Sequence, residues 1–116
     1  FNARYLAPDA FDPKPSFASV DVSFISLDKI LPALVAAMTP NAELVTLIKP
    51  QFEAGREDVG KGGVVRDPAV HQRVIDQVLA FGTTKLGLTC PGVIESPLKG
   101  PAGNTEFLAY WVKSSD

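Results

Sequence analysis

An apolar run, Ala42-Glu43-Leu44-Val45-Thr46-Leu47-Ile48, ends in Lys49 and is cut off at once by Pro50. Its branched, Leu-rich content with few polar positions reads as a strand buried on both faces of a parallel sheet. Parallel strands need crossover connections, so this one run already commits the chain to an α/β architecture. It also delivers Lys49 to the carboxyl end of the strand, the edge where open α/β sheets bind ligands.

The flanking segments agree. Residues 1 to 16, with Pro8, Asp9, Asp12 and Pro13, read as an irregular lead-in. Phe17 to Leu27 has the content of a strand that runs into a loop near Asp21 to Ser26. From Asp28, a potential cap, Ile30, Leu31, Leu34, Val35 and Met38 recur at helical spacing until Pro40-Asn41. Strand, helix and the Lys49 strand make one βαβ unit. A long glycine-rich polar loop covers residues 50 to 66, and Asp67-Pro68 then marks a helix start. Val70, Val74, Val78 and Leu79 supply its apolar stripe and Gly82 its expected end. Lys85 to Glu95 reads as a third strand, and Glu106 to Val112 as a last one reached through the Pro/Gly-rich segment 96 to 104. That connection holds no helix, so the last two strands are expected to be antiparallel neighbours.

With 116 residues, 46% of them hydrophobic, the chain suits one domain with a modest core. A formal net charge of -2 supplies no global field for nucleic acid, so any RNA affinity has to be local. The single cysteine, Cys90, excludes an internal disulfide framework and, in its apolar setting, reads as a structural thiol compatible with a reducing cytosol. No apolar run approaches the roughly 20 residues that span a bilayer, and the first residues are no signal peptide. The chain begins with Phe rather than Met and is expected to be a piece of something longer.

Gly55 to Lys61 fits the G-x-x-x-x-G-K part of a P-loop, but Gly62 stands where Ser or Thr should hold magnesium, and no helix follows directly. His71, the only histidine, has no partner at catalytic or metal-ligand spacing and reads as a surface residue. Arg56, Lys61 and Arg66 give the long loop a local positive character suited to a phosphate backbone, offset by Glu53, Glu57 and Asp58. Asp21, Lys49 and Glu106 form the strongest constellation. Each falls at or next to a strand terminus on one edge of the sheet, although Asp21 and Lys49 could equally form an ordinary ion pair.

Four blocks carry a resemblance: Asp21 to Leu27 (DVSFISL), Lys49 to Arg56 (KPQFEAGR), Gly60 to Asp67 (GKGGVVRD) and Ser96 to Phe107 (SPLKGPAGNTEF). Together with Asn2-Ala3-Arg4-Tyr5-Leu6 they resemble, in order and over nearly the whole chain, the haemolysin A (TlyA) family of FtsJ-like ribosomal RNA 2′-O-methyltransferases. The resemblance implies a partial Rossmann-like class I methyltransferase fold, a mixed sheet with an antiparallel last strand. It implies S-adenosylmethionine as cofactor, ribosomal RNA or ribosomal subunits as partner, and a cytoplasmic protein without membrane association. Residues 1–116 would be the C-terminal part of the catalytic domain, without the family's N-terminal S4-type RNA-binding domain and its glycine-rich cofactor loop. Of the family's Lys-Asp-Lys-Glu set, the last three members fall on Asp21, Lys49 and Glu106; the first lysine has no counterpart.

By the same resemblance Lys49 would accept the ribose hydroxyl proton, while Asp21 and Glu106 would orient it and balance the sulfonium, with Asp21 at the cofactor. Arg56, Lys61 and Arg66 would face RNA, and no metal cluster is expected. The fragment alone would be inactive, and its first strand, lacking a neighbour, would leave an edge open to pairing with a second copy. A non-catalytic RNA-binding or ribosome-associated module is the alternative, weighed down by the joint presence of all three ionisable residues. A membrane-active haemolysin would need an apolar or amphipathic inserting segment, and none is visible.

Overall fold

A computed structural model describes residues 15–22, 26–60 and 62–114. The expectations for residues 1 to 14, for the Ser23-Phe24-Ile25 part of the first block and for Lys61 lie outside these residues. Among the described residues four strands form a mixed sheet: β1 (Phe17–Val20), β2 (Glu43–Ile48), β3 (Thr89–Glu95) and β4 (Phe107–Val112), in spatial order β1-β2-β4-β3. β1 and β2 are parallel, and β4 is antiparallel to both β2 and β3. The last two strands are therefore antiparallel neighbours, as a connection with a 3₁₀ turn (Pro101–Gly103) but no α-helix requires. α1 (Leu31–Ala36), α2 (Pro50–Glu53) and α3 (Pro68–Lys85) supply the helices.

β2 is not buried equally on both faces. Leu44, Thr46 and Ile48 are fully buried while Val45 and Leu47 are half-buried, so its residues alternate. The cause is the placement of the helices. Trp111 on β4 packs against Gly82 of α3, and Lys113, two residues on and so on the same face, donates from Nζ to the Val35 and Met38 carbonyls at the end of α1. Both helices thus cover one face. The core between them holds Leu31, Val35, Leu44, Ile48, Val74, Val78 and Trp111.

Asp67 caps α3 as expected: its Oδ1 accepts the Ala69 N–H at 2.9 Å, with Pro68 at the first helical position. Gly82, however, does not end the helix. A Cβ there would lie 2.3 Å from Trp111 Cζ3, so glycine makes room for the indole inside the helix. The helix instead runs on to Lys85, and Gly87, at φ +66°, takes the left-handed turn just after it. β3 accordingly starts at Thr89, not at Lys85. Asp28 is no cap of α1 either; it sits in a 3₁₀ turn, Leu27–Lys29, and α1 starts after Ile30 without a side-chain cap.

Candidate active site

The register of the sheet assembles the site. Val20 pairs with Thr46, and Ile48 pairs with Phe107. One step beyond these pairs, Asp21, Lys49 and Glu106 leave β1, β2 and the start of β4 on the same edge, with Lys49 and Glu106 side by side.

Lys49 is buried, its side chain only 9% exposed, and its Nζ lies 2.5 Å from Oδ1 of Asp21, whose side chain is 65% exposed. One partner is thus fixed by the protein interior while the other faces solvent. Glu106 is 6% exposed. Its Oε2 accepts a hydrogen bond from Gln51 Nε2 at 2.8 Å. Gly100 closes over the same oxygen, since a Cβ at that position would stand 2.1 Å from it.

α2 follows Lys49 directly, because Pro50 pre-sets the first helical φ and lacks only an N–H the helix would leave unused. Its last residue, Glu53, accepts the Leu27 N–H at Oε2, 2.9 Å away. Burial, with a smaller contribution from the Asp28 charge, pushes the Glu53 carboxyl up to about 7, against the Leu27 bond that favours the anion. Between pH 4.5 and about 7 the folded chain therefore holds a proton here that the unfolded chain has lost. The stabilising contribution is complete below 4.5 and is lost as pH rises through about 7. Urea unfolding across this range is expected to show the unaltered chain losing stability relative to Glu53→Gln as pH rises.

The glycine-rich loop is tethered from within. Buried Asn104 accepts the Val65 N–H at Oδ1, 3.0 Å, and donates from Nδ2 to the Gly63 carbonyl at 2.9 Å. Gly62 and Gly63 both take positive φ, which only glycine does without strain. No helix follows residue 62 until Pro68, so the P-loop pattern has no phosphate-binding helix behind it. Arg56 falls in a 3₁₀ turn, Arg56–Asp58, and exposed Arg66 sets its guanidinium against Gly60. His71 is not a surface residue: half-buried, it bonds through Nε2 to the Val65 carbonyl at 2.8 Å and stands edge-on to Phe107, with ring centroids 5.7 Å apart. It braces the loop against the last strand. Among the described residues no group of His, Cys, Asp or Glu could hold a metal ion, and no helix is long and apolar enough to cross a membrane.

Sequence reasoning read Glu53 as a loop acid offsetting nearby positive charge, whereas it ends α2 inside the segment expected to be loop, and it assigned no role to Gln51 or Asn104. A signal for Gln51 and Glu53 existed in Pro50, which starts a helix as readily as it ends a strand. Nothing local marked the role of the Asn104 side chain, whose bonds to Val65 and Gly63 reach about 40 residues back in the chain.

The model of FtsJ-like methyltransferases matches residues 1–113. The chain belongs to this family. TlyA of Mycobacterium tuberculosis, named a 16S/23S rRNA (cytidine-2′-O)-methyltransferase, is 44% identical over 113 residues, which are 97% of this chain and 41% of that protein. YqxC of Bacillus subtilis, described as a candidate rRNA methyltransferase, is 48% identical over 94% of this chain and 39% of its own length. A crystal structure from Lactococcus lactis, described as a candidate hemolysin, superimposes with a TM-score of 0.94 at 51% identity, covering all of this chain and 55% of that one. The chain thus spans about two-fifths of the length of these curated relatives. FtsJ-like methyltransferases generally use S-adenosylmethionine.

Proposed function

We propose that the full-length protein transfers a methyl group from S-adenosylmethionine to a ribose 2′-hydroxyl of ribosomal RNA, and that this chain is the C-terminal part of its catalytic domain. The observation that supports this most is Lys49: a buried lysine at the carboxyl edge of the sheet, ion-paired to an exposed aspartate and side by side with a buried glutamate. A ribose hydroxyl is a poor nucleophile, so catalysis lies in orientation and proton removal. A lysine amine titrates near 10.4 in water and neighbouring carboxylates favour its charged form, so a neutral base needs burial and a second cation, the part that the family's other lysine would play.

In this reading Lys49 Nζ receives the hydroxyl proton. Asp21 fixes the amine from the solvent side, and Glu106, held by Gln51, sets the opposite wall. The donor set fits a sulfonium cofactor: Asp21 offers an exposed carboxylate at the strand end, beside the half-buried Val22. The cofactor supplies an electrophilic methyl group; the chain's residues orient the acceptor and take its proton. Arg56, Lys61 and Arg66, on or beside the glycine-rich loop, would meet the RNA phosphates. Tritiated methyl incorporation into ribosomal RNA by the full-length protein tests the reading, and no incorporation into any rRNA substrate overturns it.

Gly100→Ala in the full-length protein is expected to fold yet lose methyl transfer roughly 10- to 100-fold, because the new methyl would displace Glu106 from Gln51. Steady-state rates with a fluorescence thermal melt separate the two effects. This chain alone is expected to bind S-adenosylmethionine weakly, and to self-associate, since among the described residues β1 pairs only with β2 and carries Phe17 55% exposed. Titration calorimetry and sedimentation would show otherwise through tight binding by a strict monomer.

A further inference from the structure

α2 is only four residues long, yet it bonds to two segments far from it in the chain. Its N-cap is Lys49 itself. Gln51 reaches across to Glu106, ahead of β4, and Glu53 reaches the backbone of Leu27, beyond Asp21. These two bonds span 55 and 26 residues of sequence, so neither is local structure.

We propose that Gln51 and Glu53 are positioning residues that hold the Glu106 carboxylate and the Leu27 backbone in fixed relation to Lys49. The inference rests on the methyltransferase reading of the site. Two further observations support it. Gln51 Oε1 is buried and has no hydrogen-bond partner among the described residues, a cost of about 1–3 kcal/mol that an apolar side chain would avoid. The amide is kept in this orientation because turning it over would set its carbonyl against the Glu106 carboxylate. Glu53, in turn, lines a cleft with Ser26, Leu27 and Asp28 on one side and Gln77, Val78 and Phe81 of α3 on the other. Among the described residues of that lining Asp28 is the one other titratable group, and none is a cation that would account for a half-buried carboxyl. Its partner is the Leu27 N–H.

The glutamate bridge needs an acceptor, not a charge. Glu53→Gln keeps an amide oxygen for Leu27, whereas Glu53→Ala removes the bridge. Gln51→Met keeps length and volume but loses the donor to Glu106. In the full-length protein, Glu53→Ala and Gln51→Met are expected to lower kcat about 10- to 100-fold with the KM for rRNA little changed, and Glu53→Gln to recover most of the rate. Hydrogen exchange at the Leu27 amide reads the bridge without reference to activity: protection is expected in the unaltered protein and in Glu53→Gln, and its loss in Glu53→Ala. Full activity in both Glu53→Ala and Gln51→Met, or failure of Glu53→Gln to recover the rate lost in Glu53→Ala, would overturn the inference. An unaltered protein that transfers no methyl group would instead overturn the methyltransferase reading on which it rests.

Discussion

Lys49→Ala in the full-length protein is expected to lower methyl incorporation into ribosomal RNA by about 10²- to 10⁴-fold, the usual worth of a positioned general base. The fold should survive. Lys49 stands just past the end of β2, its ion-pair partner Asp21 is 65% exposed and can turn to solvent, and buried Glu106 keeps the hydrogen bond from Gln51. Asp21→Asn should cost less than Lys49→Ala, because the amide can still orient the amine through a hydrogen bond. Incorporation assays alongside circular dichroism check both expectations. Near-normal incorporation by Lys49→Ala would remove lysine from the proposed chemistry while leaving the family assignment intact.

The largest effect on stability is expected at Trp111. Fully buried, it fills the space left by Gly82 in α3, and its Nε1–H donates to the Thr46 hydroxyl at 3.0 Å. Trp111→Ala should cost about 3–5 kcal/mol through lost burial and the cavity left behind. That is a large share of the roughly 5–15 kcal/mol that holds an ordinary domain together. Trp111→Phe should cost less, since the ring remains while Thr46 loses its donor. Gly82→Leu attacks the same contact from the helix, because even a Cβ at that position meets the indole at 2.3 Å. Urea unfolding should rank Trp111→Ala as the most damaging change in the core, ahead of Val74→Ala, whose side chain is also fully buried but smaller.

Trp111 also ties stability to the site. β4, which it anchors to α3, begins at Phe107, directly after Glu106. Loosening the indole therefore loosens one wall of the constellation, so core variants at this position are expected to lose activity as well as stability.

The two corrected expectations about helices have one cause. Gly82 looks like a helix terminator because local rules weigh its backbone freedom, whereas its actual service is steric and depends on a tryptophan that lies 29 residues further on. Asp28 looks like a cap because its type favours that role, but the chain at Leu27 is held by Glu53 from another segment, which sets where the turn begins. His71 gives the same lesson at the site: its sequence neighbours show no partner, and its partners are a carbonyl of the preceding loop and an aromatic ring on the last strand.

By itself the sequence determined the α/β class, the strand that carries Lys49, the cap of α3, the antiparallel closing pair and the family, all of which depend on short-range pattern or contiguous motifs. Periodicity of apolar residues and the chemistry of Asp67-Pro68 act within a few residues, so they survive without a tertiary context. Only the tertiary structure decided that one face of β2 is better covered than the other, that Glu106 stands beside Lys49 through the Ile48 and Phe107 register, and that Gln51, Glu53 and Asn104 hold the surrounding segments together. These depend on which strands become neighbours and on hydrogen bonds between segments far apart in sequence, and no local preference of a residue encodes its distant partner.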